Sequence, residues 1–274
     1  MTDPTDACRL CGGALVHRFD GRLLRRHAVR YFECAACGSL QTEPPHWLDE
    51  AYADGNLARL DTGAAQRNLD NLGTVLVLAG MLGLERVVDH GGGDGLLTRM
   101  LRDRGLDAHV LDRHAKPHYA AGFDTPAFQR PDLMLAFEVL EHFANPAQDL
   151  RALFDPKPPV LLVSTDAWEG QGPDWWYLVP DSGQHVFFYG RKALAQIASR
   201  EGYRLVRVGD YWLFLRQGAF PRETLVRRLL SRGLRRLRIA WAATRATPGI
   251  QRDHDRMAAE LRDGAAPPAR RRPG

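Results

Sequence analysis

The sequence predicts an α/β protein built on a doubly wound parallel sheet, and three features carry that expectation. A β-branched pair, Val87-Val88, runs into the glycine cluster Gly91-Gly92-Gly93-Asp94-Gly95, which opens onto an apolar helix. An aspartate, Asp112, closes the next short strand. A wholly apolar strand, Leu133–Phe137, then ends at the acidic Glu138.

Val87 and Val88 suit a buried strand, and the glycines after them reach backbone angles and close approaches denied to other residues. From Leu96 the apolar residues Leu96, Leu97, Met100 and Leu101 recur at helical spacing, so the turn leads into a helix N-terminus whose free N–H groups can meet an anionic ligand. Seventeen positions beyond Gly95, Asp112 follows the short apolar run 108–111. A carboxylate there can accept both hydroxyls of an adenosine ribose; otherwise it is a solvated turn residue. Leu133–Phe137 reads as a strand covered on both faces. Glu138 falls at its carboxyl end, where such sheets bind ligands.

The acid precedes the first glycine, Asp89-x-Gly91-x-Gly93-x-Gly95, unlike the GxGxxG dinucleotide fingerprint. This stretch resembles motif I of the class I S-adenosylmethionine-dependent methyltransferases. Residues 132–142, containing Glu138-Val139-Leu140-Glu141-His142, resemble that family's strand-four segment with its recurrent EVLEH run. The resemblance implies a Rossmann-like, seven-stranded methyltransferase sheet. It also implies S-adenosylmethionine as cofactor, with Asp89, Gly91, Gly93, Gly95, Asp112 and Glu138 around it.

All four cysteines fall in the first 37 residues, as Cys8-Arg9-Leu10-Cys11 and Cys34-Ala35-Ala36-Cys37. Two CxxC knuckles supply four thiolates to a tetrahedral centre, and Gly12, Gly13 and Gly38 let backbone N–H groups approach sulfur. A structural Zn2+ ribbon is expected. Disulfides are the alternative, but a CxxC bridge closes too small a loop to stabilise much, and the acidic start, Met1 to Asp6, lacks a secretory core. No cysteine remains for catalysis. His17 and His27 could substitute as ligands, yet four cysteines already fill the shell. Between the knuckles, 15–20 and 29–33 alternate as a small hairpin.

Pro44-Pro45 ends the ribbon, and Trp47, Leu48, Ala51 and Tyr52 begin a helical stripe. Asp61-Thr62-Gly63 then precedes a long helix near Ala64–Leu82. The resemblance implies that this pre-strand segment covers the cofactor, which makes Tyr52, Arg67 and Asn68 candidate cofactor or substrate contacts, with packing or surface roles as the alternative. After Asp112 the chain is irregular, with a shrunken third strand around Ala127-Phe128 and Asp124 near the adenine edge. Asn145-Pro146 starts a helix with Leu150, Leu153 and Phe154 inward. Pro158-Pro159 then introduces strand Val160–Ser164. The loop after it holds Trp168, Trp175, Trp176 and Tyr177 among glycines and prolines, a composition typical of binding-site edges. A helix near Arg191–Glu201 and strands Tyr203–Val208 and 211–215 complete the domain.

Gly183-Gln184-His185-Val186-Phe187-Phe188 resembles the element before the last helix in bacterial methyltransferases that carry an N-terminal zinc ribbon. Sugar C-methyltransferases share this two-part plan, and the resemblance covers about 8–216. Their additional C-terminal domain has no counterpart here, so their substrate does not carry over. The expected catalytic groups are His185 as base, His142 and Glu141 as secondary candidates, and Tyr177 for acceptor binding; the alternative for His185 is to orient substrate or bond backbone.

The 274 residues accommodate one sizeable α/β domain with appendages, and three regions are expected: ribbon 1–45, methyltransferase domain 46–218 and basic tail 219–274. No apolar run reaches the roughly 18 residues of a spanning helix, and a cytoplasmic location is expected. The net charge of +4 hides an asymmetry, since from Pro221 fourteen arginines face five acids and the rest is mildly acidic. Leucines and arginines in the tail alternate at helical spacing, which suits an anionic membrane surface, a protein partner or docking on the body. Residues 264–274 are expected to be disordered.

The leading functional expectation is methyl transfer to a small-molecule acceptor, a sugar or glycosylated metabolite. RNA is the alternative substrate, favoured by the ribbon and the basic tail; DNA is not expected. The acidic body and the absence of an Asn/Asp-Pro-Pro-Tyr segment weigh against RNA. A non-catalytic cofactor-binding scaffold would keep the same glycines.

Overall fold

The computed structural model describes residues 7–53, 61–126 and 128–220, and its elements form two sheets that share one core. The N-terminal sheet contains β1 (Leu15–Leu23), β2 (His27–Cys34) and β3 (Leu40–Thr42), all antiparallel. Helices α1 (Leu48–Ala53) and α2 (Ala64–Leu82) lead into the central sheet. There follow β4 (Arg86–His90), α3 (Leu96–Asp103), β5 (Asp107–Leu111) and β6 (Leu133–Phe137). Short helices α4 (Pro146–Asp149) and α5 (Arg151–Phe154) precede β7 (Val160–Ser164). The chain then runs through β8 (Phe187–Phe188), α6 (Arg191–Glu201), β9 (Tyr203–Val208) and β10 (Tyr211–Arg216).

The central sheet has six strands in the order β5-β4-β6-β7-β10-β9. The first four are parallel, while β10 runs antiparallel to both β7 and β9. From β4 the chain moves to β5 on one side and later to β6 on the other, which makes the carboxyl end of β4 the switch point where doubly wound sheets bind ligands. The expected seventh strand, around Ala127-Phe128, is absent among the described residues. Pro117, Pro126 and Pro131 remove ladder donors along that stretch. Its place is taken by turns, one of which gives the Phe123 carbonyl to the Val110 N–H at 2.9 Å.

Strand alternation sorts the core onto the two faces of this sheet. Val88, Met134, Ala136, Leu161, Val163 and Phe214 point to one side, where Leu153, Phe154, Leu194 and Ile197 cover them. Val87, Leu133, Leu135, Leu162 and Leu213 point to the other, under Leu72, Val75 and Leu78 of α2 and Leu97 and Leu101 of α3.

The ribbon is tied to this body through a continuous sheet, because β8 pairs antiparallel with β3 at Gln41↔Phe187 and Leu40↔Phe188. The hairpin is too small to bury its own apolar face. Trp168, Tyr177 and Leu178 from the aromatic loop cover Leu23, Val29, Tyr31 and Leu40 of the ribbon. That loop therefore packs the ribbon and does not line the cavity, contrary to the expectation from its composition. Trp176 alone of its large aromatics is exposed, at 71%. The basic tail from Pro221 lies outside the described residues. No helix among the described residues is long and apolar enough to cross a membrane.

Candidate active site

At the carboxyl edge of the sheet, three strand ends converge on one cavity of about 910 Å³. The turn after β4 supplies Gly91 and Gly93, the end of β5 supplies Asp112, and the end of β6 supplies Glu138 and His142. Gly91 takes φ +72°, and a Cβ there would come within 2.5 Å of Val139 Cγ2. Gly93 takes φ +60° and faces open space, so a ligand can lie on bare backbone. Gly91→Ala is expected to cost at least about 1–3 kcal/mol through forbidden φ and overlap. Chemical denaturation measures this, and unchanged stability would show that the turn relaxes freely.

Asp112 is held by the backbone around it. Its Oδ2 accepts the Gly93 N–H at 3.0 Å, and Oδ1 accepts the His114 and Ala115 N–H groups, each at 2.8 Å. Each carboxylate oxygen can accept two bonds, so Oδ2 retains an acceptor position.

Asp89 and Gly95 lie off the cavity wall. Asp89 is buried under the glycine turn, where Oδ2 accepts the Thr98 hydroxyl at 3.2 Å. Burial pushes its carboxyl up to about 7, an effect that the Thr98 hydrogen bond partly offsets and the charge of Asp112 slightly increases. Gly95 begins α3 at φ +83°, close against Ala120.

Glu138 stands at the end of β6 with φ +53°, an uncommon conformation for a residue with a side chain. Two bonds hold its carboxylate: Oε1 accepts the Ser164 hydroxyl at 2.6 Å and Oε2 accepts the Tyr177 hydroxyl at 2.9 Å. Tyr177 is thereby turned inward and does not reach the cavity. The 3-10 turn Leu140–His142 follows, placing His142 on the cavity wall and Glu141 beneath it, wholly buried.

His142 Nδ1 shares a 3.2 Å hydrogen bond with the Tyr52 hydroxyl, and the Tyr52 ring stacks flat on His114 at 3.9 Å. Both Tyr52 and His142 line the cavity. His185 is buried behind this wall, its ring edge-on to His142 at 4.9 Å. Its Nδ1 bonds the Tyr177 carbonyl at 2.7 Å, so Nδ1 carries the proton and Nε2 keeps its lone pair. Burial lowers the His185 imidazole to about 4 and holds His142 well below its usual range, leaving both rings neutral at neutral pH.

Both carboxylate oxygens of Glu141 are buried with no hydrogen-bond partner. Burial and the neighbouring Glu138 raise its carboxyl well above the usual range. Glu141, His142 and His185 each bring one donor atom within 4.8 Å of the other two. Sequence reasoning named these residues separately; their convergence depends on β8 returning beside the Leu140–His142 turn, where the Val186 N–H meets the Glu141 carbonyl at 2.9 Å.

Arg67 and Asn68 do not reach the cavity. Arg67 pairs with Asp61, and the Asn68 amide donates to the Ala64 carbonyl at 3.0 Å, so both are used at the start of α2. Asp124, by contrast, does line the cavity.

At the ribbon tip, Cys8 and Cys37 Sγ lie 3.8 Å apart and Cys11 and Cys34 Sγ 3.5 Å apart. Those separations are too long for disulfides and fit the edges of a tetrahedron with metal–sulfur bonds of about 2.3 Å. All four thiols are free, and their sulfur atoms lie within 4.8 Å of one another. Gly12 and Gly38 N–H groups close the two knuckles on the Cys8 and Cys34 carbonyls, each at 2.8 Å. The four cysteines can therefore hold a structural zinc, as the spacing predicts.

A family model described as a methyltransferase domain matches residues 44–208. The chain belongs to that family. It is a methyltransferase by that domain. Among solved structures it is similar to the 1,6-didemethyltoxoflavin-N1-methyltransferase of Burkholderia thailandensis, at 14% identity over 72% of this chain and 97% of that one, with a TM-score of 0.46. It is also similar to the magnesium protoporphyrin IX methyltransferase of Synechocystis PCC 6803 (18% identity, 62% and 93% covered, TM-score 0.43). A third similar structure is the mitomycin 7-O-methyltransferase (19% identity, TM-score 0.44); the match takes in 61% of this chain and 59% of that one. No curated protein sequence matches the chain.

Proposed function

We propose that this methyltransferase acts on a small-molecule acceptor, a sugar or glycosylated metabolite, in the cavity between the glycine turn and His142. The observation that carries the reading is that one cavity is lined both by Gly91, Gly93 and Asp112 and by Tyr52, Glu138 and His142. The first group fits S-adenosylmethionine: bare backbone at Gly93 accommodates a close ligand, and the free acceptor position of Asp112 meets a ribose hydroxyl. Gly95 and Asp89 shape the turn from behind. When bound, S-adenosylmethionine supplies an electrophilic methyl group, and the protein's task is to align the acceptor, exclude water and receive a proton.

Tyr52 and His142 are the groups placed to receive it. The acceptor's proton passes to the Tyr52 oxygen as Tyr52 gives its own to His142 Nδ1, which is available because burial keeps the imidazole neutral. His185 then supports His142 edge-on, and Tyr177 acts by holding Glu138. This shifts the base from His185 to its neighbour on the wall. His142→Ala is expected to lower the rate of methyl transfer to nucleotide-linked sugars by about 10²–10⁴-fold without weakening S-adenosylmethionine binding. If His185→Ala abolishes turnover while His142→Ala leaves it intact, the role returns to His185.

The orphaned carboxylate of Glu141 favours a second reading, in which Glu141, His142 and His185 hold a divalent cation that orients an oxygen-rich acceptor. Metal analysis then finds an ion beyond the ribbon zinc, lost in Glu141→Gln. An unchanged metal content in that variant would exclude it. The regions 1–45, 46–218 and 219–274 remain the proposed functional division, with ribbon and catalytic domain cooperating across the shared sheet.

A further inference from the structure

The knuckle residue between Cys8 and Cys11 reaches far outside the ribbon. Arg9 extends a guanidinium whose Nη2 donates to the Val186 carbonyl at 2.6 Å and to the Thr42 carbonyl at 3.2 Å, while Nη1 donates to the Ala144 carbonyl at 3.1 Å. Val186 is the residue after His185, and Ala144 is two residues after His142. One planar fork therefore ties the two imidazole-bearing segments to each other and to β3. The backbone of Arg9 is fixed in turn, because its N–H donates to the Gln41 side chain at 2.9 Å. The second knuckle grips the far end of the same segment. The Gly190 N–H donates to Ser39 Oγ at 3.1 Å, and a Cβ on Gly190 would overlap the Gly38 carbonyl oxygen at 2.3 Å.

We propose that Arg9 is a positioning residue, through which the tetracysteine ribbon sets the relative placement of His142 and His185. The ribbon is then part of the catalytic scaffold and not only a stabilising appendage. A lysine cannot reproduce this role, because an ammonium is a point donor whereas the guanidinium addresses separate carbonyls along fixed directions. That the two imidazoles serve catalysis rests on the function proposed above; their placement by Arg9 does not.

The test compares the zinc-replete full chain, labelled with ¹³C and ¹⁵N at histidine, with its Arg9→Met and Arg9→Lys variants. For each, zinc content, S-adenosylmethionine affinity by calorimetry and the imidazole spectra are measured. In Arg9→Met, zinc content is expected to be unchanged and the S-adenosylmethionine Kd to stay within about twofold, since the glycine turn shares no partner with Arg9. The His142 and His185 imidazole signals are expected to shift or broaden, whereas that of the exposed His17 stays in place. Arg9→Lys is expected to shift the same two signals less. Imidazole spectra that superimpose on the wild type in both variants would overturn the proposal. Should Arg9→Met fail to fold, Arg9→Lys carries the same test, and unmoved imidazoles there would overturn it equally. Failure of the wild type to bind S-adenosylmethionine would instead count against the proposed cofactor site, leaving the imidazole comparison valid.

Discussion

Replacing Asp112 with alanine is expected to abolish measurable S-adenosylmethionine binding in calorimetry while the protein stays folded. A charged carboxylate accepting a hydrogen bond is worth roughly 1.5–3 kcal/mol, so losing the ribose contact alone weakens binding by about 10–10²-fold. The substitution also releases the Gly93, His114 and Ala115 N–H groups, which the carboxylate now collects at 2.8 to 3.0 Å. Gly93 faces open space in the proposed cofactor site, so that disorder adds to the direct loss. Asp112→Asn separates the two effects. Its amide oxygen can keep the bonds from His114 and Ala115, while its NH2 opposes the Gly93 N–H. Intermediate affinity in Asp112→Asn and none in Asp112→Ala is the expected order. Wild-type affinity in Asp112→Ala would place the ribose elsewhere and remove the basis for the cofactor site.

What the sequence made legible follows from how local each feature is. The strand, turn and helix over residues 84–101 are specified by neighbours in the chain, and the structure reproduces them as β4, three positive-φ glycines and α3. The four-cysteine centre was equally legible, since its ligands come as two local knuckles. The seventh strand is absent among the described residues because prolines at 117, 126 and 131 lack the N–H groups a ladder needs, a local signal that outweighs the family expectation. Tertiary packing decided the remaining cases. The aromatic loop 168–177 carries the composition of a binding edge, but the ribbon hairpin had an uncovered face and took those rings. Arg67 was an attractive contact until Asp61, six residues earlier, claimed its guanidinium. Arg9 was invisible because its partners lie 32 to 177 positions away. No periodicity reports on contacts of that kind.

The glycine turn imposes a cost beneath it, and Asp89→Asn is expected to reveal that cost as a change in pH dependence. Asp89 is fully enclosed, and its carboxyl is raised from 3.8 to about 7, chiefly by desolvation. Below the unfolded value both states hold the proton, and the residue contributes nothing to the pH dependence. Between about 3.8 and 7 the folded protein keeps a proton that the unfolded chain has released, so stability falls as pH rises. Above 7 both states are ionised and the loss is complete, at most about 4 kcal/mol for a shift near three pH units. Asparagine stays neutral throughout and can still accept the Thr98 hydroxyl. Its denaturation midpoint is therefore expected to change less than that of the wild type between pH 4.5 and 8, because Glu141 and the other titrating groups are common to both proteins. Parallel curves for the two proteins would show that Asp89 is ionised in the folded state across the whole range. In that case a charged group under the glycine turn must be stabilised by something other than Thr98, and the turn's own N–H groups are the nearest donors to examine.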